Sequence, residues 1–401
     1  MTAYWRFIQR HWPLLTFGFI TIFWGNLGQS FFISFYGASI QQSLAISAGD
    51  YGLIYALATL SSGLMLMALG GKVDKYPLKN FSSLVALGLM AACIIMWLTS
   101  GPWWLGLGFF LLRLCGQGLM PHVGQTTMAR SFDKDRGKAI SLSACGVPLG
   151  EAILPLIVVA LIAWLGWQQS WLWLGLSIPL IYIPLSRKLL NKAALAPPEI
   201  SAANARGPQY SRRHVLKDLR FWLVLPAMLA GPFLVTAIFI QQNYVLEQKG
   251  WTTALLASSF IIYGILHWAG SIWSGVLVDR FRARKLVPFI SLPLLLAMLL
   301  LTIGYGPWLA PAFMAVLGLS IGITGPVFNA LWAEIYGTTN LGAIRALATS
   351  LMILSTASSP WLFGLLIDAG IKGSQLFAGC TVFVVIAGLG VFLAYGRNRE
   401  C

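Results

Sequence analysis

Twelve apolar stretches, each long enough to cross a lipid bilayer, follow one another along this chain of 401 residues. A run of roughly 20 apolar residues spans the hydrocarbon core. Lipid offers the backbone no hydrogen-bond partner, so such runs must be helices. The sequence predicts an all-α polytopic membrane protein with 12 transmembrane helices (spans 1 to 12) at about 14–37, 50–71, 80–98, 102–124, 139–164, 168–186, 221–246, 253–277, 285–306, 308–332, 343–367 and 374–395.

The composition excludes a soluble protein. Hydrophobic residues make up 58% of the chain and charged residues only 10%, whereas soluble domains carry roughly 25% charged residues. The sequence contains no nucleotide-binding glycine loop, no metal-ligand spacing of His, Cys or Asp, and no Gly-x-Ser-x-Gly motif. We therefore predict that the protein is not an enzyme and has neither a cofactor nor a metal site.

The basic residues predict the orientation of the spans. When the N-terminus is placed in the cytoplasm, 24 of the 27 Lys and Arg residues fall in cytoplasmic segments. This distribution follows the positive-inside rule. It predicts cytoplasmic N- and C-termini, and it explains the net charge of +15 without a nucleic-acid partner. Short loops and the absence of a targeting signal point to a bacterial inner membrane.

One long polar segment divides the chain near its middle and contains eight basic residues. We predict an N-terminal six-helix bundle over 1–186, a cytoplasmic linker over 187–220 and a C-terminal six-helix bundle over 221–401. Internal repetition supports two pseudo-symmetric halves, because landmarks recur after 204 or 205 residues: Asp74 at Asp279, Ala129 at Ala333, and Pro155 at Pro360. Related halves are typical of secondary transporters whose substrate site lies near the membrane midplane.

The repeated loop carries a family resemblance. The pattern Gly-x-x-x-Asp-Arg/Lys-x-Gly-Arg-Lys/Arg is kept in part twice, as Gly70, Asp74, Lys75 and Lys79 and as Gly275, Asp279, Arg280 and Arg284. Pro77 and Arg282 replace its second glycine. The chain thus resembles the major facilitator superfamily over essentially its whole length. The resemblance implies a monomer that works by rocker-switch alternating access, with a cavity lined by spans 1, 4, 7 and 10.

A second motif narrows the resemblance to one branch. The segment from Arg130 to Ala139, Arg-Ser-Phe-Asp-Lys-Asp-Arg-Gly-Lys-Ala, is similar to the pattern after span 4 in bacterial organic-anion transporters. The oxalate/formate and monocarboxylate transporters belong to that branch. We therefore expect proton-coupled transport of a small organic anion, with a carboxylate as the favoured substrate class.

Two opposite charges occur halfway along neighbouring spans. Arg113 lies in span 4 and Glu151 in span 5, and ionisable residues inside a membrane are costly and usually functional. An arginine fork suits a carboxylate, so we expect Arg113 to bind the substrate and Glu151 to couple the proton. A fixed ion pair that only locks the N-terminal bundle is the structural alternative.

Further polar residues interrupt the apolar spans. His267 in span 8 is a candidate for substrate binding and for proton coupling. The resemblance makes four amides additional substrate-contact candidates: Asn26, Gln29, Gln117 and Gln241. Each of these residues has the alternative role of a helix–helix hydrogen bond.

The resemblance also implies a cytoplasmic gate. Asp74 is expected to pair with Arg130 at the inner end of span 4. In the second half the corresponding residues, Asp279 and Glu334, are both acidic and repel. We expect Arg345 or a loop arginine to neutralise them.

Two other functions stay open. One is transport of larger amphipathic compounds such as drugs or siderophores. The span 5 pattern of drug/proton antiporters is only partly matched here, since Glu151 replaces its proline. The other is a membrane sensor with a transporter-like fold.

Overall fold

A computed structural model describes residues 2–69, 76–132, 135–193, 212–337 and 341–395. Every regular element in these ranges is helical, and no strand occurs within them. The chain divides into two compact units. The first contains residues 1–46 and 54–202, and the second contains residues 47–53 and 203–401. The boundary between residues 202 and 203 lies outside the described ranges.

The first half of the chain forms eleven helices in the described residues: α1 (Thr2–Gly25), α2 (Ser30–Ser34), α3 (Gly37–Leu44), α4 (Ala48–Leu69), α5 (Leu78–Trp97), α6 (Pro102–Leu111), α7 (Met120–Ser131), α8 (Arg136–Ala144), α9 (Gly146–Leu165), α10 (Trp167–Ser177) and α11 (Ile183–Lys192). The first turn of α4 belongs to the second unit. Helix α11 continues through Lys192, inside the range predicted as linker.

The second half forms nine helices in the described residues: α12 (Arg212–Lys217), α13 (Leu219–Ile240), α14 (Gln242–Lys249), α15 (Thr253–Phe281), α16 (Ala283–Leu286), α17 (Leu292–Ile303), α18 (Leu309–Tyr336), α19 (Leu341–Asp368) and α20 (Gly373–Tyr395). Asp218 caps α13 by accepting a hydrogen bond from the Arg220 backbone N–H. The same carboxylate accepts a hydrogen bond from the Tyr336 hydroxyl, which ties α13 to the end of α18.

Nine helical segments within the described ranges are long and apolar enough to cross a membrane. Predicted spans 1, 4 and 6 are not among them, because each is interrupted by a different backbone geometry. The interruptions are a 3₁₀ turn at Asn26–Gly28 and π-helical segments at Leu112–Leu119 and Ile178–Tyr182. The predicted all-α polytopic fold is confirmed, and the count of twelve spans stays a prediction.

Exposed tryptophans mark both ends of the spans. Trp103, Trp164 and Trp308 are exposed at helix ends away from the basic segments, whereas Trp5, Trp12 and Trp222 are exposed at the basic ends. Tryptophan concentrates at the two membrane–water interfaces because its ring is apolar and its N–H is polar. The positions of these tryptophans agree with the predicted ends of the spans.

Buried aromatic residues hold span 1 against span 6 in the first unit. The Tyr36 and Trp171 rings lie 4.4 Å apart, and Phe32 packs edge-on against Trp171. The Ser170 hydroxyl donates a hydrogen bond to the Tyr36 hydroxyl. A large apolar contact with satisfied hydroxyls stabilises this part of the bundle.

Glycines bring α15 and α18 into backbone contact in the second unit. Gly318 lies against the backbone of Tyr263, and Gly322 lies against the backbone oxygen of His267. The two glycines are four residues apart and therefore share one face of α18. Small residues at this spacing permit close helix packing in membranes, where dispersion contacts replace the hydrophobic effect.

Gly322→Ala is expected to destabilise the protein, because the added methyl group would overlap the His267 carbonyl oxygen. Overpacking of this kind costs about 1–3 kcal/mol. Gly325→Ala is the matched control, since no atom lies within 4 Å of a Cβ built at Gly325 in the same helix. Thermal unfolding in detergent should show a lower Tm for Gly322→Ala and an unchanged or higher Tm for Gly325→Ala. Equal Tm values for the two variants would contradict the packing argument.

Candidate functional site

Span 1 is broken near its midpoint. Helix α1 ends at Gly25, a 3₁₀ turn covers Asn26–Gly28, and Gln29 has an extended backbone with φ −79° and ψ 150° before α2 begins. Two predicted substrate contacts, Asn26 and Gln29, lie in this break. Irregular backbone inside a membrane is tolerated where protein groups or a water-filled cavity provide hydrogen-bond partners for its N–H and C=O groups. Broken helices of this kind often form the binding sites of transporters.

Span 4 contains a π-helical segment at a comparable position. It covers Leu112–Leu119 and carries Arg113 and Gln117. A π-helical segment inside an α-helix is rare and is frequently found at functional sites. The interruptions in spans 1 and 4 pack directly against each other.

Three glycines form the contact between the two interruptions. A Cβ built at Gly116 would lie 2.7 Å from the Gly28 nitrogen and 3.1 Å from the Gly25 oxygen. A Cβ at Gly25 would lie 2.8 Å from the Gly116 oxygen. No side chain fits at this distance, so glycine at these positions sets the separation of spans 1 and 4. We call Gly25, Gly28 and Gly116 the glycine seam.

Arg113 is held beside the glycine seam. Its side chain is only 3% exposed. The guanidinium donates a hydrogen bond through Nη1 to the Gly28 carbonyl oxygen at 3.2 Å, and its Cζ lies 5.1 Å from the centre of the Tyr55 ring. Nε is buried and has no hydrogen-bond partner. Within the described part of the chain, no salt bridge joins Arg113 to a carboxylate.

Asn26 connects the break in span 1 to span 5. Its amide Nδ2 donates hydrogen bonds to the carbonyl oxygens of Phe23 and Gly146, at 3.0 and 2.9 Å. Two carbonyl acceptors fix the orientation of the amide, because only its nitrogen can donate. The Oδ1 atom on the other side is buried and has no partner in the described structure. The site thus contains one buried acceptor, Asn26 Oδ1, and one buried donor, Arg113 Nε, that have no hydrogen-bond partner in the described structure.

Tyr55 is a site residue that the sequence reasoning missed. It is fully buried on α4, with its ring beside the Arg113 guanidinium. Its sequence signal is a stripe of polar side chains on the apolar span 2, at Tyr51, Tyr55, Thr59 and Ser62. Spacings of four, four and three residues place them on one helix face, and all four are buried.

Glu151 lies on α9, next to Gly150, and is 6% exposed. Gly150 packs against the Asn26 side-chain amide so closely that a Cβ would overlap it. Glu151 is therefore in the same region of the first unit as Asn26. The structure does not show the ion pair with Arg113 that the sequence allowed as an alternative.

Gln117 and Gln29 complete the first-unit candidates, and both are partly exposed. Gln241 and His267 belong to the second unit. The Gln241 amide donates to the backbone oxygens of Ala48 and Pro360, at 2.9 and 3.1 Å, so its nitrogen is engaged in packing. His267 is partly exposed, with its ring edge-on to Tyr263 at 5.9 Å.

The predicted gate is only partly described. Asp74 lies outside the described residues, and the side chain of Arg345 does as well, although its backbone belongs to α19. Arg130 is exposed in the last turn of α7, and Asp279 is exposed near the end of α15. The expected pairing of Asp74 with Arg130 stays a prediction.

Glu334 contacts the first residues of α16, which include Arg284. Its carboxylate accepts hydrogen bonds from the backbone N–H groups of Ala283 and Arg284, at 2.7 and 3.3 Å. The Arg284 guanidinium donates to the Glu334 backbone oxygen at 3.3 Å. An arginine from the connection between spans 8 and 9 therefore lies beside Glu334, in α16, and the partner of Asp279 stays a prediction.

Arg282 has a backbone conformation that favours glycine, with φ 64° and ψ 148°. It occupies the position where the family motif has a glycine, whereas Pro77 in the first copy has φ −55°. A non-glycine residue in this region stores about 1–3 kcal/mol of strain. The second copy of the loop therefore has, at Arg282, a backbone conformation that glycine would adopt without strain.

Arg282→Gly is expected to stabilise the protein by about 1 kcal/mol, because glycine adopts this conformation without steric cost. Arg280→Gly removes the same charge from the last turn of α15, where glycine weakens the helix by about 1 kcal/mol. Thermal unfolding should therefore give a higher Tm for Arg282→Gly and a lower Tm for Arg280→Gly. A lower Tm for Arg282→Gly would mean that the contacts of the Arg282 side chain stabilise the protein by more than the backbone strain destabilises it.

The whole chain is similar to known membrane transporters of one family. The family model described as Major Facilitator Superfamily matches residues 18–360. The chain is 24% identical over 396 residues to a 3-(3-hydroxy-phenyl)propionate transporter of Escherichia coli, covering 94% of each protein. It is 25% identical over 285 residues to an MFS-type transporter of Gibberella moniliformis, covering 67% of this chain and 65% of that protein. These relatives indicate a transporter rather than an enzyme.

Solved structures agree on the fold. A bacterial homologue of the human lysosomal transporter Spinster superimposes in its inward-facing, unoccupied form with a TM-score of 0.68, covering 96% of each chain. Its inward-facing, occupied form gives a TM-score of 0.72 over 95% of this chain and 96% of that one. Both are 15% identical in sequence, so the likeness concerns the fold alone.

Proposed function

The chain belongs to the major facilitator superfamily of membrane transporters, and we propose that it carries a small organic acid across the membrane as the carboxylate. Arg113 is the group that binds this carboxylate. The observation that carries the proposal is the buried Arg113 side chain, whose Nε has no partner. A guanidinium inside a membrane bundle needs an anion or several acceptors, and here it has one carbonyl oxygen and one aromatic ring.

The chemistry of the guanidinium favours a carboxylate. Its planar fork donates two parallel hydrogen bonds to the two oxygens of such a group. The Gly28 carbonyl and the Tyr55 ring fix the position of the fork from two sides. Arg113 is thereby ordered before the substrate arrives, which reduces the entropy cost of binding.

One relative supports an aromatic acid among the candidate substrates. The Escherichia coli protein is named for 3-(3-hydroxy-phenyl)propionate, which has a carboxylate, an aromatic ring and a hydroxyl group. In a ligand of this kind, the carboxylate oxygens can accept hydrogen bonds from Arg113, and the hydroxyl group can donate one to Asn26 Oδ1. Short unsubstituted aliphatic acids have the carboxylate oxygens but no hydroxyl group to donate to Asn26. Arylpropionates and short monocarboxylates are therefore the first compounds to compare.

Proton coupling and alternating access complete the proposal. Glu151 is a buried carboxylate in span 5 close to Asn26. A membrane carboxylate that is exposed to each side in turn takes up a proton on one side and releases it on the other. His267 in span 8 is a second proton-carrying candidate. The gate residues Asp74, Arg130, Asp279, Glu334 and Arg345 would hold the cytoplasmic side closed in one state.

The distribution of the basic residues supports the proposed orientation in the membrane. We place the protein in the bacterial inner membrane as a monomer, with both termini in the cytoplasm. The basic segments and the exposed tryptophans at their level support this placement. A reporter that fluoresces only in the cytoplasm, fused after Cys401, should be active. A silent reporter combined with an active periplasmic one would overturn the topology.

Ligand-induced thermal stabilisation tests the substrate class. Purified protein is heated with arylpropionates, short monocarboxylates, dicarboxylates and lipophilic cations, each over a concentration series. A ligand at a hundred times its Kd adds about 2.7 kcal/mol of stability, which is a measurable Tm shift. Stabilisation by one class of carboxylate supports the proposal. Stabilisation by lipophilic cations alone would favour transport of amphipathic compounds and overturn it.

Proteoliposomes test the proton coupling separately. With the active acid outside, an alkaline interior should drive accumulation in wild type, and a protonophore should abolish it. Glu151→Gln should still exchange labelled for unlabelled acid across the membrane but should not accumulate it. Accumulation by wild type that ignores the pH gradient would refute proton coupling without affecting the substrate assignment.

A further inference from the structure

The Tyr55 ring is held in one orientation beside the proposed substrate site. It is fully buried on α4, with the Arg113 Cζ 5.1 Å from its centre and the Phe109 ring edge-on to it at 5.6 Å. Both contacts involve the ring alone, so a phenylalanine at this position would make them equally well. The packing of the ring therefore does not explain why the side chain carries a hydroxyl group.

Two further hydroxyl groups lie near that of Tyr55 in the first unit. Thr59 is one turn further along α4 and is 3% exposed, and Ser30 is the first residue of α2, after the break in span 1. Both side chains interact with the Tyr55 hydroxyl. Neither contact reaches hydrogen-bond geometry, and the Tyr55 and Thr59 hydroxyls have no hydrogen-bond partner among the described residues.

The buried groups without a partner around Arg113 share one chemical property. Arg113 Nε and the hydroxyls of Tyr55 and Thr59 can all donate a hydrogen bond. Burying such groups without a partner is costly, and each exception in a folded protein calls for an explanation such as a bound ion or a functional role. Several free donors beside one guanidinium are the arrangement that an oxyanion would complete.

A carboxylate has more acceptor sites than one arginine can fill. Its two oxygens offer about four lone pairs, and a bidentate guanidinium fork occupies two of them. Arg113 already uses Nη1 for the Gly28 carbonyl oxygen. A carboxylate buried beside Arg113 therefore gains from a further donor of the protein, because a buried charge is stable only when its remaining lone pairs are satisfied.

We propose that the Tyr55 hydroxyl donates a hydrogen bond to the substrate carboxylate that Arg113 binds, and that the Thr59 hydroxyl donates to the Tyr55 oxygen. A hydroxyl group donates and accepts at once, and hydrogen bonds in such a chain strengthen one another. Tyr55 thereby determines specificity for the acid group and not for the rest of the substrate. This inference rests on the proposed binding of an organic acid at Arg113.

Two acids that differ in one group test which part of the ligand Tyr55 contacts. 3-(3-Hydroxyphenyl)propionate and 3-phenylpropionate share the carboxylate, and only the first has a ring hydroxyl. Their Kd values are measured on the purified full-length protein from the concentration dependence of thermal stabilisation. Tyr55→Phe should weaken the binding of both acids by the same factor, about 10- to 100-fold, as hydrogen bonds to charged groups predict. A loss for the hydroxylated acid alone would place Tyr55 on the ring hydroxyl and overturn the proposal.

Tyr36→Phe is the matched control, since it removes a buried hydroxyl that has a partner. The Tyr36 hydroxyl accepts a hydrogen bond from Ser170, so its removal should lower the ligand-free Tm and leave both Kd values unchanged. Tyr55→Phe removes a hydroxyl without a partner and should leave the ligand-free Tm unchanged or raise it. Unchanged Kd values for Tyr55→Phe, or a fall in its Tm like that of Tyr36→Phe, would assign the Tyr55 hydroxyl to packing and refute the proposal.

Thr59→Val tests the order of the two hydroxyls. It should weaken the binding of both acids by a smaller factor than Tyr55→Phe, and in the Tyr55→Phe background it should cause no further loss, because Thr59 acts through Tyr55. A larger loss for Thr59→Val, or independent losses that add, would contradict this order.

The same measurements separate this inference from the proposed function. If both acids bind to wild type and not to Arg113→Gln, while Tyr55→Phe keeps the wild-type Kd values, the arginine site stands and only the role of Tyr55 is wrong. If wild type binds neither these acids nor any other carboxylate, the proposed function itself is wrong, and the role of Tyr55 fails with it.

Discussion

Arg113→Gln is expected to lower the affinity for the transported carboxylate about 100-fold or more. Removing one partner of a buried charge pair costs about 3–5 kcal/mol, and every 1.4 kcal/mol is a factor of ten. Glutamine is polar and of similar length but has no charge and no bidentate fork. The measurement is the concentration dependence of thermal stabilisation by the best acid, together with its uptake into proteoliposomes.

The ligand-free variant provides the decisive comparison. Arg113 has a desolvated charge with one hydrogen bond and no salt bridge among the described residues. Its replacement should therefore leave the Tm without ligand unchanged or higher. Arg213→Gln removes an exposed arginine of α12 and should alter neither affinity nor Tm. A sharply lower ligand-free Tm for Arg113→Gln, with retained acid binding, would make the arginine a structural residue.

Gly116→Ala is expected to lower both the stability of the first unit and its transport activity. The added methyl group would lie 2.7 and 2.8 Å from the Gly28 nitrogen and Cα, both backbone atoms that cannot move alone. Spans 1 and 4 must separate, at an expected cost of about 1–3 kcal/mol. The Gly28 carbonyl moves away from Arg113 at the same time, so transport should fall together with Tm.

Gly106→Ala is the control for this change. Gly106 lies in α6 of the same span, and a Cβ there would meet only the Ile54 side chain at an ordinary 3.6 Å. It should unfold at the wild-type temperature or slightly above, because alanine favours helix more than glycine does. If Gly116→Ala keeps both wild-type Tm and wild-type uptake, the glycine seam does not set the geometry of the site.

The sequence predicts the fold and the chemistry of the site better than its geometry. Arg113 and Asn26 stand out because charge and amides are costly in apolar spans. The break at Asn26–Gly28 is not predictable from glycines alone, since Gly25 and Gly28 fit helix packing equally well. The family assignment, by contrast, rests on motifs that occur twice and is confirmed by the match over residues 18–360.

Other residues show why side-chain type does not define a role. The Gln241 amide is an expected substrate contact by position, yet it donates to two backbone oxygens within the second unit. Tyr55 escapes attention because tyrosine is common in membrane helices, and only its burial beside Arg113 distinguishes it. The sequence identifies which groups are polar, whereas packing decides which of them keep an unused donor or acceptor.

The anchor of Arg113 has a consequence for how such a site can evolve. The guanidinium is held by a main-chain carbonyl, which every amino acid at position 28 would supply, while the space there admits only glycine. Substitutions elsewhere in the pocket can therefore alter which acid is preferred without releasing the arginine. In the proposed site, the absence of a side chain at position 28 therefore keeps the arginine in place for an anion, while the other lining residues set which acid is preferred.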